Sequence, residues 1–269
     1  MEDVPVERMD LTKKSLIFIT GASKGIGQTI AIELARRINP ESIFVLIARS
    51  QEGLNETKAK IAKIKPTTIT VLTYRTDLAT LDMQKCNDLL DDVIKNANVS
   101  DVEATCFFHN AGQLGTIKET ARLIDVEDWR KHFDVNLHSA ILLNSAFVLK
   151  LQDIIRHLYI VNITSLVARK PIINLSMYAA GKAAKEMFFK TVAVENSRLN
   201  VLNYSPGPVL TDMFNSICEN DECADLSKSF TEVRNTSVLT PTQTVEKLLN
   251  ILVSGSYQNG TTIDFYDRT

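Results

Sequence analysis

Tyr178 and Lys182 stand four residues apart at the start of an apolar stretch that runs to about Val194. On a helix that offset puts phenol and ammonium on one face, one turn apart. Tyrosine by itself is a poor acid or base near neutrality, with a reference pKa of about 10. A fixed ammonium beside it favours the phenolate, lowers that pKa and brings proton transfer within range. Taken alone, the spacing is more often an amphipathic surface tyrosine and a solvated lysine. Its meaning depends on which other groups the chain delivers to the same place.

The first of these is a glycine turn. Ser15 to Thr20 (SLIFIT) is a short apolar run rich in β-branched and aromatic residues and reads as a buried strand. Gly21, Ser23, Lys24, Gly25, Ile26 and Gly27 follow, ahead of helical periodicity from Gln28 to Ile38. Strand, glycine turn and helix in that order let backbone approach a pyrophosphate at a helix N-terminus, although the spacing here is G-x-x-x-G-x-G rather than G-x-G-x-x-G. Ile43 to Ala48 is a second buried strand, and Arg49 follows it, roughly 20 positions beyond Gly27. There an acid would meet the ribose of NAD, whereas an arginine accommodates the extra phosphate of NADP, so the expected cofactor is NADP(H). Lys24 reads either as a second positive charge for that phosphate or as a solvated cation.

Gln51 to Lys65 reads as an amphipathic helix and Ile69 to Tyr74 as a third strand. Asp77 either accepts from an adenine amino group or caps a helix from Thr80 to Asn96. Ala104 to His109 is a fourth strand, closed by the small residues of Asn110-Ala111-Gly112, which let backbone and ligand come close. His109 ends an apolar run and reads as a packed or hydrogen-bonded histidine rather than a catalytic one. Asp125 to Lys150 is a long helix carrying Asn136, which either satisfies backbone or holds a water. His157 to Ile163, ending in Thr164-Ser165, is the fifth strand, and Asn200 to Tyr204 the sixth. A break at Ser205-Pro206-Gly207-Pro208 leads into a polar segment from Asn215 to Thr240. A helix from Pro241 to Leu252 and a strand from Gly260 to Tyr266 complete the chain.

Strands alternating with helices predict a single α/β domain, a Rossmann-type doubly wound parallel sheet of about seven strands with helices on both faces. Residues 1–14 are expected to be a flexible extension and 15–269 the dinucleotide-binding domain, with about 209–240 covering the substrate. A formal charge of -2 and 45% hydrophobic residues give no footprint for nucleic acid and no sign of disorder. The N-terminus lacks a secretory pattern and no apolar run approaches the roughly 20 residues that span a bilayer, so a cytoplasmic protein without membrane contact is expected. Four scattered cysteines predict free thiols. Cys218 and Cys223 have no nearby histidine or further cysteine, so no metal is expected.

Together, Thr20 to Gly27, Asn110 to Gly112, Asn136, Ser165, Tyr178 to Lys182 and Pro206-Gly207 resemble the short-chain dehydrogenase/reductase family, in order and approximate spacing, from about Ser15 to Asp267. One departure is His109, where the family more often has asparagine. The resemblance implies a catalytic set of Ser165, Tyr178, Lys182 and Asn136, with Ser165 also touching the substrate carbonyl and Asn136 holding a water that relays protons to Lys182. It places Ser23, Ile26, Leu78, Ala111, Pro206, Gly207 and Met213 along the cofactor, and Thr211 at its carboxamide. Asn110-Ala-Gly-Gln-Leu-Gly115, Val201 to Pro208 with Thr211-Asp212-Met213, and Ile263-Asp-Phe-Tyr-Asp267 point to the branch that reduces pterin ketones. Asp264 would then anchor the pterin, accepting a ring N–H and the neighbouring amino group together, with Gly207 nearby. Reductases of diketones, quinones or steroids share the catalytic set, and a nucleotide-binding scaffold without chemistry would share the fold. The two long helices, apolar over much of their circumference, imply a homodimer in this family.

Overall fold

A computed structural model describes residues 6–64 and 69–268 of the chain. Strands β1 (Ser15–Thr20), β2 (Ile43–Ala48), β3 (Thr70–Arg75), β4 (Ala104–His109), β5 (His157–Ile163), β6 (Leu199–Ser205) and β7 (Thr262–Asp264) form one parallel sheet. Their order is β3-β2-β1-β4-β5-β6-β7. The helices are α1 (Gly25–Arg37), α2 (Gln51–Ile64), α3 (Met83–Ala97), α4 (Val126–Phe133), α5 (Ser139–Leu151), α6 (Ser176–Glu195), α7 (Asp212–Cys218), α8 (Ala224–Thr236) and α9 (Pro241–Ser254).

The strands read as continuous apolar runs because both faces of the sheet are covered. Alternation along β1 divides the core: Ile17 and Ile19 pack with Ile30 and Leu34 of α1 and Leu248 of α9, while Leu16 and Phe18 pack with Leu90 of α3, Phe147 of α5 and Phe189 of α6. A doubly wound sheet of seven strands is therefore present, as its sequence pattern implies.

Several elements depart from expectation. The stretch before β1 is held down over residues 6–14, where a flexible extension was expected. Met9 is 1% exposed in the core, its amide donates to the Leu252 carbonyl (2.8 Å) and the Glu7 amide donates to Asn200 Oδ1 (2.9 Å). Residues 1–5 and Lys65, expected to end the second helix, lie outside the described residues. The single helix expected over Asp125 to Lys150 is interrupted by a π-helical turn, Asp134–His138, between α4 and α5; such a turn inserts one extra residue and re-aims its side chains. The polar segment after β6 contains α7 and α8. Ile217 and Leu226 close a small core with Val167 and Leu175 beside Tyr178. The last strand is only three residues long, because the Asp264 carboxylate captures the Tyr266 amide (3.1 Å) and turns the chain.

Replacing Met9 by alanine should lower the free energy of unfolding by about 2–5 kcal/mol, measured by urea denaturation. A loose extension would give no change.

Candidate active site

Strand order reverses between β1 and β4, and in open α/β sheets ligands bind outside the carboxyl ends of the strands at such a point. A cleft of about 890 Å³ lies there. Gly21, Ser23, Lys24, Gly25 and Ile26 line it from the glycine turn, Arg49 from the end of β2, and Asp77 and Leu78 from beyond β3. Asn110, Ala111 and Gly112 follow from beyond β4, Tyr178 and Lys182 from α6, and Pro206, Thr211 and Met213 from beyond β6.

The turn's geometry explains its glycines. Gly21 and Gly25 adopt φ of +68° and +56°, a region that side chains disfavour. Gly27 is a packing glycine rather than a lining one: a Cβ there would come within 2.3 Å of the Gly21 carbonyl oxygen and 2.5 Å of Asn110 Nδ2. Its absence lets Asn110 Nδ2 donate to the Thr20 carbonyl (2.9 Å) and brace the turn. Lys24, the residue before α1, gives that helix no side-chain cap, and its first turn holds no acid, so its first amides remain available to an anion. Asp82, Asp125 and Thr240 cap α3, α4 and α9.

Arg49 is exposed at the cleft's edge. Lys24, read from sequence either as a phosphate charge or as a solvated cation, gives its ammonium to Asp212 (2.6 Å) at the N-terminus of α7 in an exposed pair. Asp77 Oδ1 accepts from the Ala79 amide (3.1 Å) and caps the short turn Leu78–Thr80. Capping of α3 falls to Asp82 instead.

Lys182 is buried, donates to the Ile163 carbonyl (2.7 Å) and lies 5.6 Å from the centre of the Tyr178 ring. Burial pushes the Tyr178 phenol up to about 12, against a hydrogen bond with Ser165 that pulls it down. Burial also pushes Lys182 down to about 8. The sequence led us to expect a tyrosine lowered by its lysine; here desolvation raises the phenol and lowers the ammonium, because it disfavours both charged forms.

Ser165, Asn136, Gly207 and Asp264, also expected at the site, do not border this cleft. Ser165 hydrogen-bonds with the Tyr178 phenol, and its Oγ accepts from the Val167 amide (3.4 Å). Asn136 is buried in the π-helical turn. Its Oδ1 accepts from the Gln113 amide (2.8 Å) and its Nδ2 donates to the Gln113 carbonyl (3.0 Å), clamping the wall that follows Gly112. Gly207, at φ +73°, packs beneath Leu239, Phe265 and Tyr266. Asp264 Oδ2 accepts from Ser205 Oγ (2.5 Å) and its Oδ1 from the Tyr266 amide.

His109 is packed as expected, stacked on Phe107 at 4.0 Å. The sequence reading missed His132. Its ring nitrogens lie 3.1 Å from Asn136 Nδ2, and a Cβ on Gly181 or Gly115 would come within 2.7 Å or 2.6 Å of the imidazole. Its position four residues before Asn136 on a helix was the available signal. Burial first, then the Lys182 cation, pushes its pKa down to about 4. A neutral imidazole therefore fills the space that the two glycines leave.

The family model described as short chain dehydrogenase matches residues 15–222, and the chain belongs to that family. Sepiapterin reductase of Bos taurus is 32% identical over 261 residues, covering 95% of this chain and 96% of the relative. Benzil reductase ((S)-benzoin forming) of Bacillus subtilis is 25% identical over 202 residues, covering 74% and 76%. A short chain dehydrogenase of Escherichia coli, solved in complex with NADPH, superposes with a TM-score of 0.76 at 25% identity, over 96% of this chain and 99% of the other.

The buried imidazole makes stability pH-dependent. Its folded pKa lies below the unfolded value of about 6.5, so its contribution is complete above that value and is lost as pH falls towards 4. Urea unfolding at pH 5 should show this residue removing about 2 kcal/mol relative to pH 7.5, a difference that His132→Gln should erase. Gly181→Ala should displace the imidazole and cut turnover strongly while the far-ultraviolet spectrum of the sheet persists.

Proposed function

We propose that the protein is an NADPH-dependent carbonyl reductase acting on the side-chain ketone of pterins. It would convert sepiapterin to dihydrobiopterin and 6-pyruvoyl-tetrahydropterin intermediates to tetrahydrobiopterin. The observation that carries the reduction is the pairing of Tyr178, at a cleft that also takes in an uncapped glycine turn, with Lys182 beside its ring and Ser165 hydrogen-bonded to its phenol. Similarity to sepiapterin reductases along nearly the whole chain supports the pterin, as does Asp264 in the terminal Ile263-Asp-Phe-Tyr-Asp267.

The residues fit a dinucleotide. The free amides of α1 and the positive-φ glycines suit a pyrophosphate, and exposed Arg49 suits a ribose phosphate. A nicotinamide bound there supplies the hydride. Tyr178 donates the proton to the developing alkoxide, and Ser165 donates a hydrogen bond to the same oxygen as charge grows on it. A phenol held near 12 stays protonated at neutral pH, which is the form reduction requires; the reverse oxidation requires phenolate and rises with pH. Lys182 stands under the phenol, anchored on Ile163, and Thr211 and Met213 border the cofactor path. Asp264 is the carboxylate we assign to a pterin's paired donors.

The likeness to benzil reductase favours a second reading, a reductase of diketones with the same catalytic set. Exposed Leu149 on α5 and Met187 and Val194 on α6 support association of two copies through these helices, in a protein with no described helix long and apolar enough to cross a membrane.

Purified protein should bleach sepiapterin rapidly with NADPH and poorly with NADH, followed by absorbance of pterin and nucleotide. Turnover of benzil without sepiapterin would leave the diketone reading. Arg49→Asp should weaken NADPH far more than NADH, and equal losses would reject its role. Tyr178→Phe should nearly abolish turnover with NADPH affinity kept.

A further inference from the structure

A line of charged side chains runs behind the reactive pair. Arg169 Nη2 lies 3.8 Å from Asp264 Oδ2, and Arg169 Nε lies 3.9 Å from Glu186 Oε2. Glu186, buried on α6, already accepts from Thr164 Oγ1 (2.9 Å), Thr262 Oγ1 (2.8 Å) and the Lys190 ammonium (2.8 Å). Its charge is matched by Lys190 without the arginine, whereas Asp264 accepts only from neutral groups, Ser205 Oγ (2.5 Å) and the Tyr266 amide (3.1 Å), and among the described residues pairs with Arg169 as its cation. One end of the line borders the cleft at Thr164; at the other, Ser205, bonded to Asp264, precedes the lining residue Pro206.

We propose that Arg169 is a specificity-determining residue that occupies Asp264 until a ligand with a guanidine-like donor edge replaces it. This rests on the reading of Asp264 as a pterin anchor. A pterin's ring N–H and exocyclic amino group sit on one carbon, so the edge is itself a guanidine fragment. It offers a carboxylate the same parallel donors as a guanidinium. Ligand edge and arginine therefore compete for one acceptor. Arg169 is 36% exposed, against 14% for Asp264, so the arginine can swing towards solvent while Lys190 and the two threonines keep Glu186 satisfied. A diketone without such an edge gains nothing from displacing it.

Arg169→Met tests this without disturbing the core. Binding of unsubstituted pterin to the protein saturated with NADP⁺, followed by pterin fluorescence, should tighten about fivefold, the scale of a partly exposed ion pair. The KM for sepiapterin should fall in parallel, with kcat for sepiapterin and both constants for benzil unchanged. In the Asp264→Asn background the same substitution should have no effect on pterin binding. Unchanged or weaker pterin binding in Arg169→Met, an equal shift for benzil, or an effect that survives Asp264→Asn would each overturn the competition. Failure of the unaltered protein and Arg169→Met alike to bind pterin would remove the anchor reading and the competition with it. Pterin binding that Asp264→Asn weakens but Arg169→Met leaves alone would remove the competition only.

Discussion

An ammonium taken out of water at Lys182 is the constraint on which most of the site depends. Burial alone moves that lysine down to about 8, and its ammonium donates to the Ile163 carbonyl at the end of β5. Holding it there requires α6 to lie close on the sheet. Closeness in turn requires small residues where α6 meets its neighbours, and Gly181 meets the imidazole of His132. The same helix buries Lys185, whose ammonium donates to the His109 carbonyl (3.1 Å), and Glu186. One element thus carries several desolvated polar groups, each satisfied by a strand end or a neighbouring side chain, as buried charges demand.

The opposite end of the cleft is governed by a shortage of hydrogen bonds rather than by their completion. Helix α1 leaves its first amides uncapped, and the glycine turn is braced from behind by Asn110 on the Thr20 carbonyl. The turn is thus braced by the chain's own groups, while no side chain caps the helix it opens. Between the two ends lies the wall after β4, clamped by both amide atoms of Asn136 on Gln113. That clamp exists because the π-helical turn re-aims Asn136 out of the regular helical path.

Beyond β6 the chain departs from the sheet to build a small separate core. Ile217 of α7 and Leu226 of α8 pack on Val167 and Leu175, next to Tyr178, and Lys24 crosses to Asp212. The segment after Pro206 is therefore tied both to the reactive helix and to the glycine turn. Family membership and a shared catalytic set do not distinguish a pterin from a diketone. Beyond that shared set, Asp264 pairs locally with Arg169 and Ser205.

Residue type and spacing alone determined the sheet and which residues meet at the cleft. Buried strands are legible as apolar runs, so β1, β2, β4 and β5 fall at the expected residues, and Tyr178, Lys182 and the glycine turn follow from local spacing. Only the tertiary structure decided how those groups behave. The direction of the Tyr178 shift depends on how much water surrounding elements exclude, which a sequence window does not contain. The π-helical turn, the capture of Lys24 by Asp212 and the meeting of Arg169, Glu186 and Asp264 join residues far apart in the chain or break a regular period. Sequence periodicity reports which face of an element is buried; it does not report which distant polar groups will be left there to satisfy one another.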